Sequence, residues 1–341
     1  VSTIFIGDFH PESWLTGKYE QDAIATIFKN INSKYAGQTN LLINGTWFGP
    51  QFTHNRVWTD IITLTESGFR VDNVFYLNII DAAVMGPLDR VLPVLGDPNV
   101  FLMGNFPESD HSFYVFSYMV ANEFKQYTDD EVLPVDFKYK FINYNRKPKP
   151  ARVSLVNAMF DAKLHEHGII TLGGTETNEA LTVEEEVDHL DNSGENDDLE
   201  IPNDIMSLGD IKLWNKHFLN VVSETETNQD SNVFISEKIF KPMIGLRPFI
   251  VHGNVNTYKW LRDNGFKTFN HLFPADLEDP KTMEDAVITA LQWLSEQTDE
   301  ALAQIYKDIL PDLMYNKQRF FEFAKEQEQK MKDTVSWRNN L

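Results

Sequence analysis

The sequence predicts an α/β protein made of two Rossmann-like, doubly wound domains facing a cleft, with helices at the C-terminal end. Three observations predict it. Short apolar runs of strand length recur in both halves, stretches with helical spacing separate them, and Gly, Asn, Asp or Pro punctuates the runs. With 341 residues, 42 % of them hydrophobic and 24 % charged, the chain can bury a sizeable core and lies far from the composition of disordered segments.

In the first half, residues 4–7 (IFIG), 41–43 (LLI), 74–77 (VFYL) and 99–103 (NVFLM) read as buried strands. Between them Ile24, Ile27, Phe28 and Ile31, then Val57, Ile61 and Leu64, recur at helical spacing; Phe113, Phe116, Val120 and Phe124 follow the fourth run. Acidic residues and a proline at 128–134 (TDDEVLP) break the pattern and mark the expected hinge. The second half repeats the alternation with strands at 139–144, 168–172, 218–223 and 248–252, and helices over 153–164 and 237–244. From Met283 onward the chain is expected to be helical, with Pro311 dividing the last two helices. The expected domains are therefore 1–130 and 135–310, with a C-terminal helix over 311–341.

Charge is unevenly distributed. The formal net charge is −21, from 51 acidic and 30 basic residues, yet 11 of the acids lie in residues 175–200, and no Lys or Arg occurs between Lys163 and Lys212. That segment reads as a long surface insertion with at most one short helix. The alternative, a Ca²⁺ cage of Asp191, Glu195, Asp197 and Asp198, lacks the spaced calcium-loop pattern. The acidic balance disfavours general binding to nucleic acid, which rests on neutralising many phosphates. With zero Cys, disulfides, thiolate nucleophiles and Cys-based zinc sites are excluded. The first residues, VSTIFIGDFH, show no signal-peptide pattern, and no apolar run reaches the roughly 18 residues of a membrane span, so a soluble, cytoplasmic protein is expected.

Open α/β sheets take ligands at the carboxyl ends of their strands, so the chemistry is expected there. G-x-G-x-x-G after the first strand, G-x-x-x-x-G-K-[ST] and G-x-S-x-G are all missing, which speaks against dehydrogenase, NTPase and hydrolase readings. Two segments of the second half carry positive signals. In residues 138–152, six cations gather where a strand runs into a turn held by two prolines, and Arg152 opens the next helix. Arg146 and Arg152 are suited to charge-assisted bonds with a diphosphate, although a solvated basic turn explains the same cluster. In residues 218–244, a strand ends in Ser223-Glu224, and Ser236 caps a helix that opens with Glu237 and Lys238. A carboxylate and an ammonium there suit a ribose diol and a phosphate; a plain capped helix start is the competing explanation.

Together, F-x-x-x-N-R-x-P-x-x-x-R at 141–152, F-I-S-E-K-I-x-K-P at 234–242 and P-F-I-V-x-G at 248–253 resemble glycosyltransferases of the two-domain GT-B type. VFISEKIF at 233–240 is similar to the donor-binding motif of the α-1,3-fucosyltransferases, and GFKTF at 265–269 occurs in related bacterial and viral sugar transferases. The resemblance covers about 130 residues of the second half, with Ser236 in place of the family's Thr and no Asn after Glu224. It implies a nucleotide-sugar donor held by the second domain and an acceptor held by the first. Glu237 would hold ribose hydroxyls, Lys238 the β-phosphate, and Arg146 or Arg152 the charge that grows on the leaving diphosphate. Ser223 and Glu224 fall where the family has a further donor contact, and Lys241 is a spare cation one turn on. Inverting stereochemistry is implied by the same resemblance.

Leaving-group stabilisation by cations makes a metal or other cofactor unnecessary, and metal independence is expected. An inverting transferase needs a general base. Asp8 and His10 directly follow the first strand, and Glu108, Asp110 and His111 follow the fourth; each is equally readable as a turn residue. The expected acceptor is a hydroxyl of a glycan or glycolipid. A modified DNA base as acceptor, or a non-catalytic nucleotide-sugar binding protein, are the alternatives.

Overall fold

Apolar runs that are hydrophobic at every position, such as Leu41-Leu42-Ile43, suit strands buried on both faces, and that is where the chain places them. The computed structural model describes residues 3–6, 28–29, 31–44, 63–64, 66–68, 70–78, 95–96, 98–104, 114–134, 136–145, 148–172, 207–224, 227 and 233–336. Asp8, His10, Glu108, Asp110, His111, Arg146 and the 175–200 insertion lie outside the described residues. The chain divides into two compact units, Val1–Met119 with Ala324–Leu341, and Val120–Phe323. The sequence boundaries at 130 and 311 both fall within the second unit.

In the first unit, β1 (Thr3–Ile6), β2 (Asn40–Asn44), β3 (Asn73–Asn78) and β4 (Asn99–Gly104) form a parallel sheet in the order β1-β2-β3-β4. Phe75 stacks on Phe101 at 4.7 Å between ring centroids, and Tyr35 meets Phe75 edge-on at 5.2 Å. The strands begin level: Thr3 pairs with Asn40, Asn40 with Asn73, and Asn73 with Asn99.

The second unit holds β5 (Tyr139–Asn145), β6 (Gly168–Leu172), β7 (His217–Ser223) and β8 (Phe249–His252), also all parallel, in the order β6-β5-β7-β8. From β5 the chain steps to one side for β6 and returns to the other side for β7. That reversal creates a switch point between β5 and β7, where crossovers leave in opposite directions. The first sheet runs in sequence without a reversal among its described strands, so the switch-point argument applies to the second sheet alone.

The helices described are α1 (Val115–Phe124), α2 (Asp129–Val132), α3 (Pro150–Asp161), α4 (Ile211–Trp214), α5 (Glu237–Ile244), α6 (Asn256–Asp263), α7 (Met283–Ser295) and α8 (Asp299–Ser336). Parallel neighbours require such crossovers, supplied by α3 between β5 and β6 and by α5 between β7 and β8. The expected hinge at 128–134 contains α2, where Glu131 accepts from both the N–H and the hydroxyl of Thr128, at 2.8 and 2.7 Å. Lys317 ties this turn to α8 through Asp129 at 2.6 Å.

Pro311 does not divide the final helices: α8 continues through it. An interior proline costs about 3 kcal/mol. Here it lies on the exposed side, where water reaches the Lys307 carbonyl that loses its N–H partner. On the opposite side Leu302, Ile309, Leu313 and Phe320 are buried, and each contributes roughly 1.5–3 kcal/mol. No helix among the described residues is long and apolar enough to cross a membrane.

Candidate functional site

All seven residues of β7 are buried, including Ser223 at its carboxyl end, and β5 beside it ends in Asn143, Tyr144 and Asn145. Asn143 pairs with Val221, and Ser223 pairs with His252, so the ends of β5, β7 and β8 lie level at the switch point. Asn143 Nδ2 donates to Val221 O and Ser223 Oγ, both at 2.9 Å, and Asn145 Nδ2 donates to Asn143 Oδ1 at 2.5 Å. Polar side chains at buried strand ends are expensive unless bonded, and this chain of amides meets most of that cost. Among the described residues, Asn145 Oδ1 and His252 Nδ1 are buried without a hydrogen-bond partner.

Charged groups surround this polar edge. Arg152, on the first turn of α3 and only 4 % exposed, donates from its guanidinium to Ser223 O at 3.1 Å. Burial lowers its pKa, against the pull of Glu224 and Glu237. Glu224 follows β7 directly, is 1 % exposed, and donates its own N–H to His252 O at 3.0 Å. It accepts the Ser236 hydroxyl at 2.7 Å. Ser236 is the N-cap of α5, accepting the Lys238 N–H at 3.4 Å with extended backbone angles. One short side chain thus joins the end of β7 to the start of α5.

Glu237 and Lys238 open α5. Lys238 Nζ stands 3.2 Å from Glu237 Oε1 and 4.0 Å from Glu224 Oε2, and its side chain is 27 % exposed. The two carboxylates respond differently. Burial raises Glu224 above the ordinary carboxylate range despite Lys238 and Ser236. Burial acts on Glu237 as well, but Lys238 and then Lys241 outweigh it and hold Glu237 below that range. The shorter ion pair explains the difference. His252 is lowered to about 4 by burial and by the charge of Arg152, so it is neutral near neutral pH.

Both ends of α5 are fixed. At its C-terminus Arg247, with no exposed surface, donates to the carbonyls of His217 at 2.8 Å, Gly245 at 2.8 Å, Leu246 at 3.0 Å, and Trp214. Gly245 lies so close to Trp214 that a Cβ there would come within 2.2 Å of the ring. Phe240 on the buried side of α5 packs against Phe320 at 5.0 Å between centroids. A helix held in this way presents its first residues in a set position.

The structure therefore gathers Arg152, Ser223, Glu224, Ser236, Glu237 and Lys238 into one cluster, with Lys241 one turn along α5. Arg152 points inward, toward the strand end and the carboxylates, which leaves Lys238 as the more accessible cation. Asn143, Asn145 and His252 also belong to the cluster and are not among the site residues expected from sequence. Their signal was positional: each sits at or within two residues of the carboxyl end of β5 or β8, the two strands that flank β7, which becomes visible once strand order is known. Among the described residues no group of three or more His, Asp or Glu is placed to hold a metal. The chain matches no protein-family model and no curated protein sequence.

Proposed function

We propose that this protein is a metal-independent, nucleotide-sugar-dependent glycosyltransferase of the two-domain GT-B type, belonging to the hexosyltransferase class and inverting. The observation that carries the reading is the accessible Lys238 ammonium at the capped start of α5, beside a buried carboxylate and next to the switch point of a parallel sheet. An ammonium at a helix N-terminus suits a phosphate, and a carboxylate accepts from a sugar diol. The resemblance at 141–152 and 234–253 supports the same assignment.

In this reading Lys238 binds the β-phosphate, Glu237 the ribose hydroxyls, and Arg152 holds the two carboxylates in place from beneath. Arg146 joins as the second diphosphate contact. The acceptor hydroxyl of a glycan or glycolipid attacks the anomeric carbon, and the bond from that carbon to the phosphate oxygen breaks. The proton passes to a base from the first half, for which Asp8, His10, Glu108, Asp110 and His111 are the candidates. The nucleoside diphosphate leaves with its new charge facing the cations, which is how the site lowers the barrier.

Titration calorimetry with UDP-, GDP-, ADP- and dTDP-sugars tests this. One of them is expected to bind, with binding weakened about a hundredfold in Lys238→Ala and slow donor hydrolysis unaffected by EDTA. No binding by any donor overturns the reading, and binding without turnover on any acceptor restricts it to a nucleotide-sugar binding protein.

A further inference from the structure

The Lys238 ammonium is shared among three groups. It donates to Ser236 Oγ at 3.1 Å, lies 3.2 Å from Glu237 Oε1, and lies 4.0 Å from Glu224 Oε2. Ser236 has one hydroxyl proton, and it goes to that same Glu224 oxygen at 2.7 Å. The bonds therefore run in one direction, from Lys238 through Ser236 to Glu224. Around Glu224 stand Arg152 from α3, Glu237 and Lys238 from α5, and His252 from β8, the last neutral, while Lys241 acts on Glu237. Within the tight cluster the charges balance: Arg152 and Lys238 face Glu224 and Glu237.

An anion brought to Lys238 breaks that balance. The ammonium can aim its donors at the incoming oxygens only by weakening its hold on Ser236 and the carboxylates. Glu237 keeps Lys241 as a second cation. Glu224 is the more deeply buried of the two and the farther from Lys238, so it is the carboxylate least able to stay ionised beside a dianion.

We propose that Glu224 is a proton-linked positioning residue: it holds Ser236 and Lys238 in the arrangement seen here, and takes up one proton when the diphosphate of a nucleotide sugar recruits Lys238. The inference rests on the proposed function. The proton comes from solvent and adds to a Glu224 oxygen; Lys238 stays an ammonium, and no other bond is made or broken. Its charge offsets one of the two negative charges that the diphosphate brings. Burial of Glu224, which already favours its neutral form, works in the same direction.

Titration calorimetry in buffers of different ionisation enthalpy counts protons directly. The probes are UDP-glucose, GDP-mannose, ADP-glucose and dTDP-glucose, whose diphosphates are diesters that do not titrate near neutral pH. The donor that binds is expected to bring close to one proton with it. Its affinity should then fall about tenfold per pH unit wherever Glu224 is ionised before binding and protonated after it. In Glu224→Gln the proton count should drop to zero and the pH dependence flatten, whereas a merely structural Glu224 would leave the wild-type count at zero. Binding by the wild type without proton uptake overturns this inference and leaves the proposed function standing; no binding by any donor overturns the proposed function itself. A further measurement requires no ligand. Infrared spectra of Lys238→Met should show a protonated carboxyl band that is missing from the wild type and from Lys238→Met/Glu224→Gln. Without that band the ammonium is not what keeps Glu224 ionised, and the inference fails.

Discussion

Two buried polar networks in this protein invite comparison, one at the amino ends of the first sheet and one at the carboxyl ends of the second. In the first, Asn73 Nδ2 donates to Asn40 Oδ1 at 2.9 Å, Asn99 Nδ2 donates to Asn73 Oδ1 at 3.1 Å, and Asn40 Nδ2 reaches Tyr35 O and Gln38 O at 3.3 Å. Each amide of Asn40 and Asn73 is used on both its nitrogen and its oxygen. The network is uncharged and closes on itself. A one-residue slip of β2, β3 or β4 would break it, so it works as a register lock. The second network also runs through amides, Asn145 to Asn143 to Ser223, but it ends open, with a buried acceptor on Asn145 and an accessible ammonium on Lys238. A closed neutral network stabilises a sheet; an open charged one is arranged for something else to complete it.

Acid should separate the two most strongly. His217 and His252, both in the second sheet, have pKa values lowered to about 3 and about 4 from 6.5, chiefly by burial. Their unfolded forms protonate first, so the second unit loses stability as pH falls from 6.5 through those values, by about 8 kcal/mol in total once both are protonated. Glu224, raised instead, works the other way. Hydrogen exchange should show residues 218–222 losing protection over that range before residues 41–43, and equal loss would break the contrast.

Ligand binding should separate them next. Lys238→Ala is expected to weaken nucleotide-sugar binding about a hundredfold and also to lower stability, because it takes the nearest ammonium away from the buried Glu224 and Glu237 carboxylates. Asn73→Ala should leave donor affinity unchanged. It strands the buried Asn40 oxygen, whereas the exposed Asn99 amide can turn to water, and it is expected to cost about 2 kcal/mol in urea unfolding. The smallest effect is expected at Asn145→Ala, near 1 kcal/mol, because one of its two polar atoms already lacks a partner among the described residues. If Asn145→Ala proved as damaging as Asn73→Ala, the second network would be a structural lock as well.

Much of the architecture was legible from local pattern. The strand at 168–172 and the helix at 237–244 match to the residue, because a Gly opens the strand and Ser236 and Gly245 punctuate the helix. The other described strands differ at their ends by only one or two residues, since turn residues such as Asn40 and Asn73 were absorbed into the sheet by their amide bonds. Pro311 misled, because its local cost is overridden by the buried face of α8, which no short window contains. The site was legible where chemistry sits in a contiguous motif, as in Ser236-Glu237-Lys238. It was illegible where it depends on neighbours: nothing around Asn145 or His252 in sequence says that β5 and β8 end level with Ser223.

Composition and periodicity by themselves determined the fold class, the punctuation of the elements and the cationic segments, because those depend on residues within a turn or two of one another. Strand order, the switch point between β5 and β7, the inward aim of Arg152 and the sharing of Lys238 between two carboxylates were decided only in the tertiary structure. They arise between residues tens of positions apart, where burial and charge act through space.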